Sequence, residues 1–249
     1  MGTKHALVTG ASRGLGHELA VHLTKAGWSV TGFARRPPDE LGSLVPFDYF
    51  QADLSTPEVL PVILGRVGGP LDLVVHCAVH HEASMASGLT ASEMAFRVNA
   101  LTPYHLSEAL LKRQPAERLL SVIMINSESI FHADRHSAVY AASKAALRPL
   151  AAGLAESCRS RNASVATVLL GPLADEKKLA DLRRVAHQRG VTEDEITKVF
   201  LRRSNPDLVI ESLIDYEACV RTVEYVNSLG RVANGMVCRL DGGSAGSLI

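Results

Sequence analysis

Neither sign of charge is in excess in this 249-residue chain, with Lys plus Arg equal to Asp plus Glu at 26 each. No global field therefore recruits nucleic acid or an anionic membrane surface. Long apolar runs are also missing. None approaches the roughly eighteen residues a membrane span requires, and the first apolar run starts so early that no signal peptide is expected ahead of it. Cysteine is scarce and scattered, at Cys77, Cys158, Cys219 and Cys238, with no Cys-x-x-Cys pair and no histidine at ligand spacing. Reduced, buried thiols are expected rather than a disulfide framework or a zinc site. Internal repeats and low-complexity segments are absent. Met1-Gly2 is followed by Ala6 where an N-myristoylation signal wants Ser or Thr, and Asn162-Ala163-Ser164 is a glycosylation sequon in a chain with no other mark of secretion. These absences predict a cytoplasmic protein that touches neither membrane nor nucleic acid. The hydrophobic content of 47% is ample for a core.

What is present begins with a strand, a turn and a helix. Ala6-Leu7-Val8 runs into Thr9-Gly10-Ala11-Ser12-Arg13-Gly14-Leu15-Gly16, and Leu19, Ala20, Leu23 and Ala26 then recur at helical spacing. Three glycines leave no Cβ in the way, so a diphosphate could approach backbone N–H groups at the helix start. A Gly-rich turn in an ordinary α/β protein is the plainer reading. The second strand, Ser29 to Ala34, ends in Arg35-Arg36-Pro37-Pro38, about twenty residues on, where an NAD-binding unit would carry an acid for the ribose 2′-hydroxyl. No acid stands there. Arg35 and Arg36, with Arg13, would clamp a 2′-phosphate and favour NADP(H) over NAD(H); solvated loop charges are the alternative.

Further along, Phe47 to Ala52 predicts a third strand ending at Asp53-Leu54, Thr56 to Arg66 a short helix, and Leu71 to Val75 a parallel strand covered on both faces. After it come His76, Cys77, Ala78, Val79, His80 and His81. Alternation at a strand end sends neighbouring side chains to opposite faces, which favours site lining or surface over a metal set. Thr90 to Lys112 predicts one long helix whose apolar face includes Ala95, Val98, Leu101, Leu106, Ala109 and Leu110. Asn99 beside that face either bonds main chain or holds a water for chemistry. Leu119 to Ile125 is an apolar strand that delivers Asn126-Ser127-Glu128-Ser129 to its carboxyl end, where open parallel sheets bind ligands. A polar loop with His132, Asp134 and His136 then leads to a helix opened by Tyr140 and Lys144, four apart on one face.

A phenol is a poor acid–base catalyst at neutral pH unless a nearby ammonium lowers its pKa. Tyr140 with Lys144, and Ser127 as hydroxyl donor, could protonate a carbonyl oxygen as hydride arrives at its carbon, or run the reverse. A Tyr and a Lys four apart are common on helices, so the pair gains meaning only from its company.

With these motifs in order, the chain resembles a classical short-chain dehydrogenase/reductase over essentially its whole length. Gly10-x-x-x-Gly14-x-Gly16 is similar to the family's cofactor turn, Asp53-Leu54 to its adenine-contacting step, and Tyr140-x-x-x-Lys144 to its catalytic pair. Ser127 stands thirteen residues before Tyr140, in the place of the family's serine, and Asn99 in the place of its lysine-positioning asparagine. Ala78, Gly171-Pro172-Leu173 and Leu240-Asp241-Gly242-Gly243 match the nicotinamide-side turns and the C-terminal signature. The resemblance implies a doubly wound, three-layer α/β fold on seven parallel strands in one domain, residues 1–249. It also implies hydride transfer between NADP(H) and a small-molecule carbonyl or alcohol, in a homotetramer or dimer. Two departures stand out. Val79 replaces the glycine that lets the nicotinamide ribose approach, and Asp175 replaces the threonine that holds the carboxamide. They leave room for a catalytically weak NADP-binding sensor or scaffold, or for an isomerase or dehydratase using the same tyrosine. The charged segment 173–210 is expected to be a substrate lid.

Overall fold

The computed structural model describes residues 2–37, 40, 45–81, 88–133 and 135–244; Pro38 and Asp134 lie outside the described residues. Seven strands, β1 (His5–Thr9), β2 (Ser29–Ala34), β3 (Asp48–Gln51), β4 (Leu73–His76), β5 (Leu120–Ser127), β6 (Ala163–Leu170) and β7 (Val237–Leu240), form one sheet. Their order is β3-β2-β1-β4-β5-β6-β7, and every pairing is parallel. The chain winds outward from β1 to β3, then crosses to β4 and winds the other way. That reversal opens a crevice outside the carboxyl ends of β1 and β4.

Alternation along the strands divides the core into two layers. Leu7, Val74, Val122 and Met124 face one side and pack with Ile63, Leu106, Leu110, Leu147 and Leu154. Ala6, Val8, Val75, Ile123 and Ile125 face the other and pack with Leu15, Leu19, Leu23, Val220 and Val223. The first set rests on α2 (Val59–Arg66), α4 (Thr102–Arg113) and α5 (Ala138–Ser157), the second on α1 (Gly14–Lys25) and α8 (Tyr216–Ser228), after α3 (Leu89–Phe96), α6 (Glu176–Arg189) and α7 (Glu193–Ser204) in the numbering. Strands covered on both faces have no solvent side, which is why β4 and β6 are buried at every position and mostly apolar. No described helix is long and apolar enough to cross a membrane.

The single helix expected over residues 90–112 is instead three pieces, α3, a π turn at Arg97–Leu101 and α4. Pro103 explains the change: it has no N–H to give the carbonyl of Asn99, so the ladder widens there. The rotation turns Leu101 outward, 42% exposed, while Val98 and Ala100 stay buried; the apolar face drawn through Leu101 is corrected accordingly. Other boundaries move by up to three residues, and β5 runs on through Ser127.

The α6–α7 hairpin turns sharply because Gly190 takes φ +64° and Thr192 caps α7 reciprocally with Glu195. Leu182, Ala186 and Ile196 give the hairpin its own small core.

His76 ends β4, fully enclosed. Its Nε2 lies 2.8 Å from Ser107 Oγ, and that hydroxyl already donates to Pro103 O, so the ring nitrogen carries the proton and donates. Burial, aided by the Lys144 charge, pulls the imidazole pKa down to about 3. Below the ordinary value of 6.5 the unfolded chain takes up a proton that the folded one refuses, so stability is lost as pH falls from about 6.5 towards 3. The slope from this group approaches about 1.4 kcal/mol per pH unit. Urea unfolding at about pH 7 and about pH 5 should show a smaller acid loss in His76→Gln than in the wild type; identical losses would mean His76 does not titrate this way.

Candidate active site

The crevice floor is a contact between main chains. Gly10 has φ +75°, and a Cβ there would lie 2.8 Å from the Cα and N of Ala78. One on Gly16 would lie 2.5 Å from Gly10 O. Thr9 Oγ1 accepts the Ala78 N–H at 3.3 Å, and Gly10 N donates to Phe33 O at 2.7 Å. The turn is thus fastened to β2 and β4 together. Leu15 is buried and anchors α1, whose N-cap, Arg13, makes no side-chain cap and whose first turn holds no acid. The positive end of the helix dipole therefore meets no carboxylate of its own, as an anion site requires. Ser12 lies within hydrogen-bond reach of the Tyr49 phenol, and Gly14 lies beneath the Tyr216 hydroxyl.

Arg35 and Arg36 follow β2 at the same edge. Gln51 Nε2 holds Arg35 O at 3.0 Å and the Tyr49 hydroxyl holds Arg36 O at 2.8 Å, which fixes the backbone and leaves both guanidiniums exposed. Among the described residues, no carboxylate pairs with Arg13, Arg35 or Arg36. Asp53 commits Oδ1 to the N–H and hydroxyl of Ser55. Leu54 is buried, its carbonyl taken by Thr102 Oγ1 at 2.8 Å. Beyond β6, Gly171 has no room for a side chain, since a Cβ would lie 2.6 Å from Asp241 O. Pro172 and Leu173 pair with Ile214. These residues fit a dinucleotide: a Cβ-free cradle at a helix start, then three unpaired cations where an acid would stand.

Ser127, Tyr140, Lys144 and Asn99 converge at the ends of β4 and β5. The Ser127 hydroxyl lies within reach of the Tyr140 phenol; burial pushes that phenol up, Ser127 opposes the rise, and the Glu128 charge adds to it. Lys144 Nζ donates to Ile125 O at 2.9 Å, and burial lowers its pKa to about 8. Ser127, rather than the ammonium, is therefore the group acting against the rise at Tyr140. Asn99 takes the main-chain alternative. Its Oδ1 accepts from His80 N and its Nδ2 donates to His80 O, both at 2.8 Å, and Nδ2 also donates to Ser143 Oγ at 2.9 Å. It ties the chain after β4 to the helix carrying Tyr140 and Lys144.

The histidines divide as alternation requires, with His76 facing inward to Ser107. His81 packs against Tyr140, ring centroids 4.6 Å apart and planes tilted by 48°. Desolvation lowers its pKa, and Lys178 and Lys177 add to that. Val79 points into a cleft of about 720 Å³ that Tyr140 and His81 share with one face of α6 and of α7. Asp175 is the N-cap of α6, accepting from Lys178 N at 2.9 Å and pairing with Lys178 Nζ at 3.1 Å.

A network that sequence reasoning missed lies behind Ser127. Glu128 is buried and accepts from His132 and from Ser244 Oγ, the latter at 2.8 Å. Asn205 Nδ2 bonds Ser244 Oγ at 2.8 Å and reaches Glu128 at 3.5 Å. Arg239 joins through Asp241 and Ser244 O. His132 is local to Glu128, but Asn205 and Ser244 are 77 and 116 residues from it, beyond any local signal.

A profile of the short chain dehydrogenase family matches residues 4–181. Protein FixR of Bradyrhizobium diazoefficiens is 31% identical over 227 residues, 79% of this chain and 78% of its own. Among solved structures, 4-hydroxyisoleucine dehydrogenase complexed with NADH superposes with a TM-score of 0.82 at 19% identity, covering 98% of this chain and 99% of the other. A short chain dehydrogenase from Burkholderia cenocepacia in complex with NADP gives 0.77 at 24%, covering 97% of each. With the family profile spanning most of the chain and a relative at this identity, the chain belongs to the short-chain dehydrogenase/reductase family of oxidoreductases.

Proposed function

We propose that the chain is an NADP-dependent carbonyl reductase, moving hydride between nicotinamide and a ketone or secondary alcohol of 3-oxoacyl or polar small-molecule type. The observation that carries this reading is the Ser127 hydroxyl set within reach of the Tyr140 phenol at the end of β5, with Lys144 enclosed one turn further along α5. When bound, the nicotinamide supplies or accepts the hydride. Gly10, Gly14, Gly16 and the α1 N-terminus would hold the diphosphate, and Arg13, Arg35 and Arg36 a 2′-phosphate. Tyr140 gives its proton to the carbonyl oxygen, and Ser127 orients that oxygen by a hydrogen bond. Lys144 balances the phenolate left behind, and Asn99 keeps the two walls of the site in register. The α6–α7 hairpin serves as the lid that excludes water. Val79 and Asp175 favour the second reading, a weakly catalytic NADP-binding sensor, which the same experiments separate.

Tyr140→Phe should lower turnover at least about 100-fold while NADPH affinity stays within about twofold, measured as NADPH absorbance loss against a ketone panel and by titration of the cofactor. Retained turnover would sink the assignment. Tight NADPH binding by the wild type, with no ketone reduced, would instead favour the sensor.

Replacing Arg35 and Arg36 together by Ala should weaken NADPH about tenfold or more relative to NADH, the loss of one charge-assisted phosphate contact or better. Equal weakening of both nucleotides in the same titration would remove the 2′-phosphate clamp.

A further inference from the structure

Charge in the cleft is not spread evenly, and the reaction itself does not explain the arrangement. Apolar side chains, Leu182 and Val185 from α6 with Ile196 and Val199 from α7, make one stretch of its wall. Lys177, Lys178 and Arg203 line the other end, while Arg189 lines the cleft from the last turn of α6, about 18 Å along that helix from Lys177. Lys177 and Lys178 both act on His81, the ring packed against Tyr140, so they lie at the reacting end. Lys178 Nζ is also 5.9 Å from the centre of the Phe200 ring, and Arg203 follows three residues later, on the same face of α7.

Pairing decides which of these charges are available. Lys178 is spent on Asp175 at 3.1 Å and on Leu173 O at 2.8 Å. The other acid lining the cleft, Asp181, bonds Arg184 at 3.2 Å. Among the described residues, neither Lys177 nor Arg203 has a carboxylate partner. Two unpaired cations thus border the reacting end, and an apolar trough leads away from it.

Building on the reading of Tyr140 as proton donor, we propose that the substrate is an anionic ketone with its carboxylate one or two carbons from the carbonyl. Lys177 and Arg203 bind that carboxylate, and an aliphatic tail lies along the trough between α6 and α7. A neutral ketone leaves both cations unanswered, and a short oxo acid leaves the trough unfilled.

The test compares 2-oxooctanoate and 3-oxooctanoate with their methyl esters, by NADPH oxidation and by calorimetric binding to protein loaded with the oxidised cofactor, NADP+, which cannot reduce them. Expected are a preference of about tenfold or more for at least one free acid over its ester, and loss of that preference through a raised KM, with kcat and ester kinetics little changed, in Lys177→Ala/Arg203→Ala. A matching drop in affinity for the acid reads the same subsite without turnover. Equal binding of acid and ester by the wild type, or equal damage to both in the double variant, overturns the proposal. Turnover retained by Tyr140→Phe would overturn the underlying reading and leave the charge preference standing, so the two failures are distinguishable.

Discussion

The arrangement depends on one close approach, the main chain at Gly10 resting on the main chain at Ala78. No other residue fits at position 10, because a Cβ would enter the backbone of the neighbouring connection at 2.8 Å. The contact brings the start of α1 against the chain leaving β4, which is where a dinucleotide-sized crevice must open in a sheet of this order. From Ala78 the chain runs two residues to His80, and Asn99 grips both main-chain polar atoms of that residue. Asn99 can do so because the π turn around it presents its side chain where a regular helix would carry a different face. Pro103 is therefore coupled to the site although it touches none of the reacting groups.

Behind the site, Glu128 imposes a second constraint. A buried carboxylate is costly unless its oxygens are bonded, and here His132, Ser244 and Asn205 supply the bonds. Asn205 directly follows α7 and Ser244 follows β7, so the end of the hairpin and the turn after the last strand share one acceptor placed next to Ser127. Displacing the hairpin would disturb partners of a charge that bears on Tyr140. The hairpin is otherwise lightly held, since its own core is Leu182, Ala186 and Ile196, with Leu201 buried further along α7, and segments with few buried contacts open most easily.

Much of this was legible in the sequence because it rests on local rules. The strand, glycine turn and helix at residues 5–25 follow from a change of apolar period, and Ser127 was placed by the rule that ligands meet parallel strands at their carboxyl ends. What escaped is of two kinds. The π turn had a local sign, a proline four residues after Asn99, which the count of apolar positions overrode; Leu101 was assigned inward for that reason. The capping role of Asp175 had one too, an aspartate before a charged helical start, obscured by comparison with a family in which threonine stands there. The links from Glu128 to Asn205 and Ser244, and the contact of His81 with Tyr140, join residues far apart in sequence, and no periodicity records such pairs. Net charge is silent in the same way: Arg13, Arg35 and Arg36 are legible from their places after the first two strands, but the balance over the whole chain does not reveal that Lys177 and Arg203 line one cleft.

The opposite displacements of Tyr140 and Lys144 bear on which direction the proposed chemistry favours. Burial raises the phenol and lowers the ammonium to about 8, because each loses hydration that its charged form needs. Starting from ordinary values, the two shifts make proton transfer from phenol to amine harder, so Tyr140 holds its proton at neutral pH. A group that holds its proton until an alkoxide develops beside it is suited to act as the acid in carbonyl reduction. Acting as the base in alcohol oxidation requires the opposite, a phenolate formed before hydride leaves, and Glu128 opposes that further by adding negative charge nearby. Ser127 alone works in the other direction, and one hydroxyl donor does not offset a carboxylate and burial together. The polar network that braces the site thus also biases it toward giving up a proton rather than taking one.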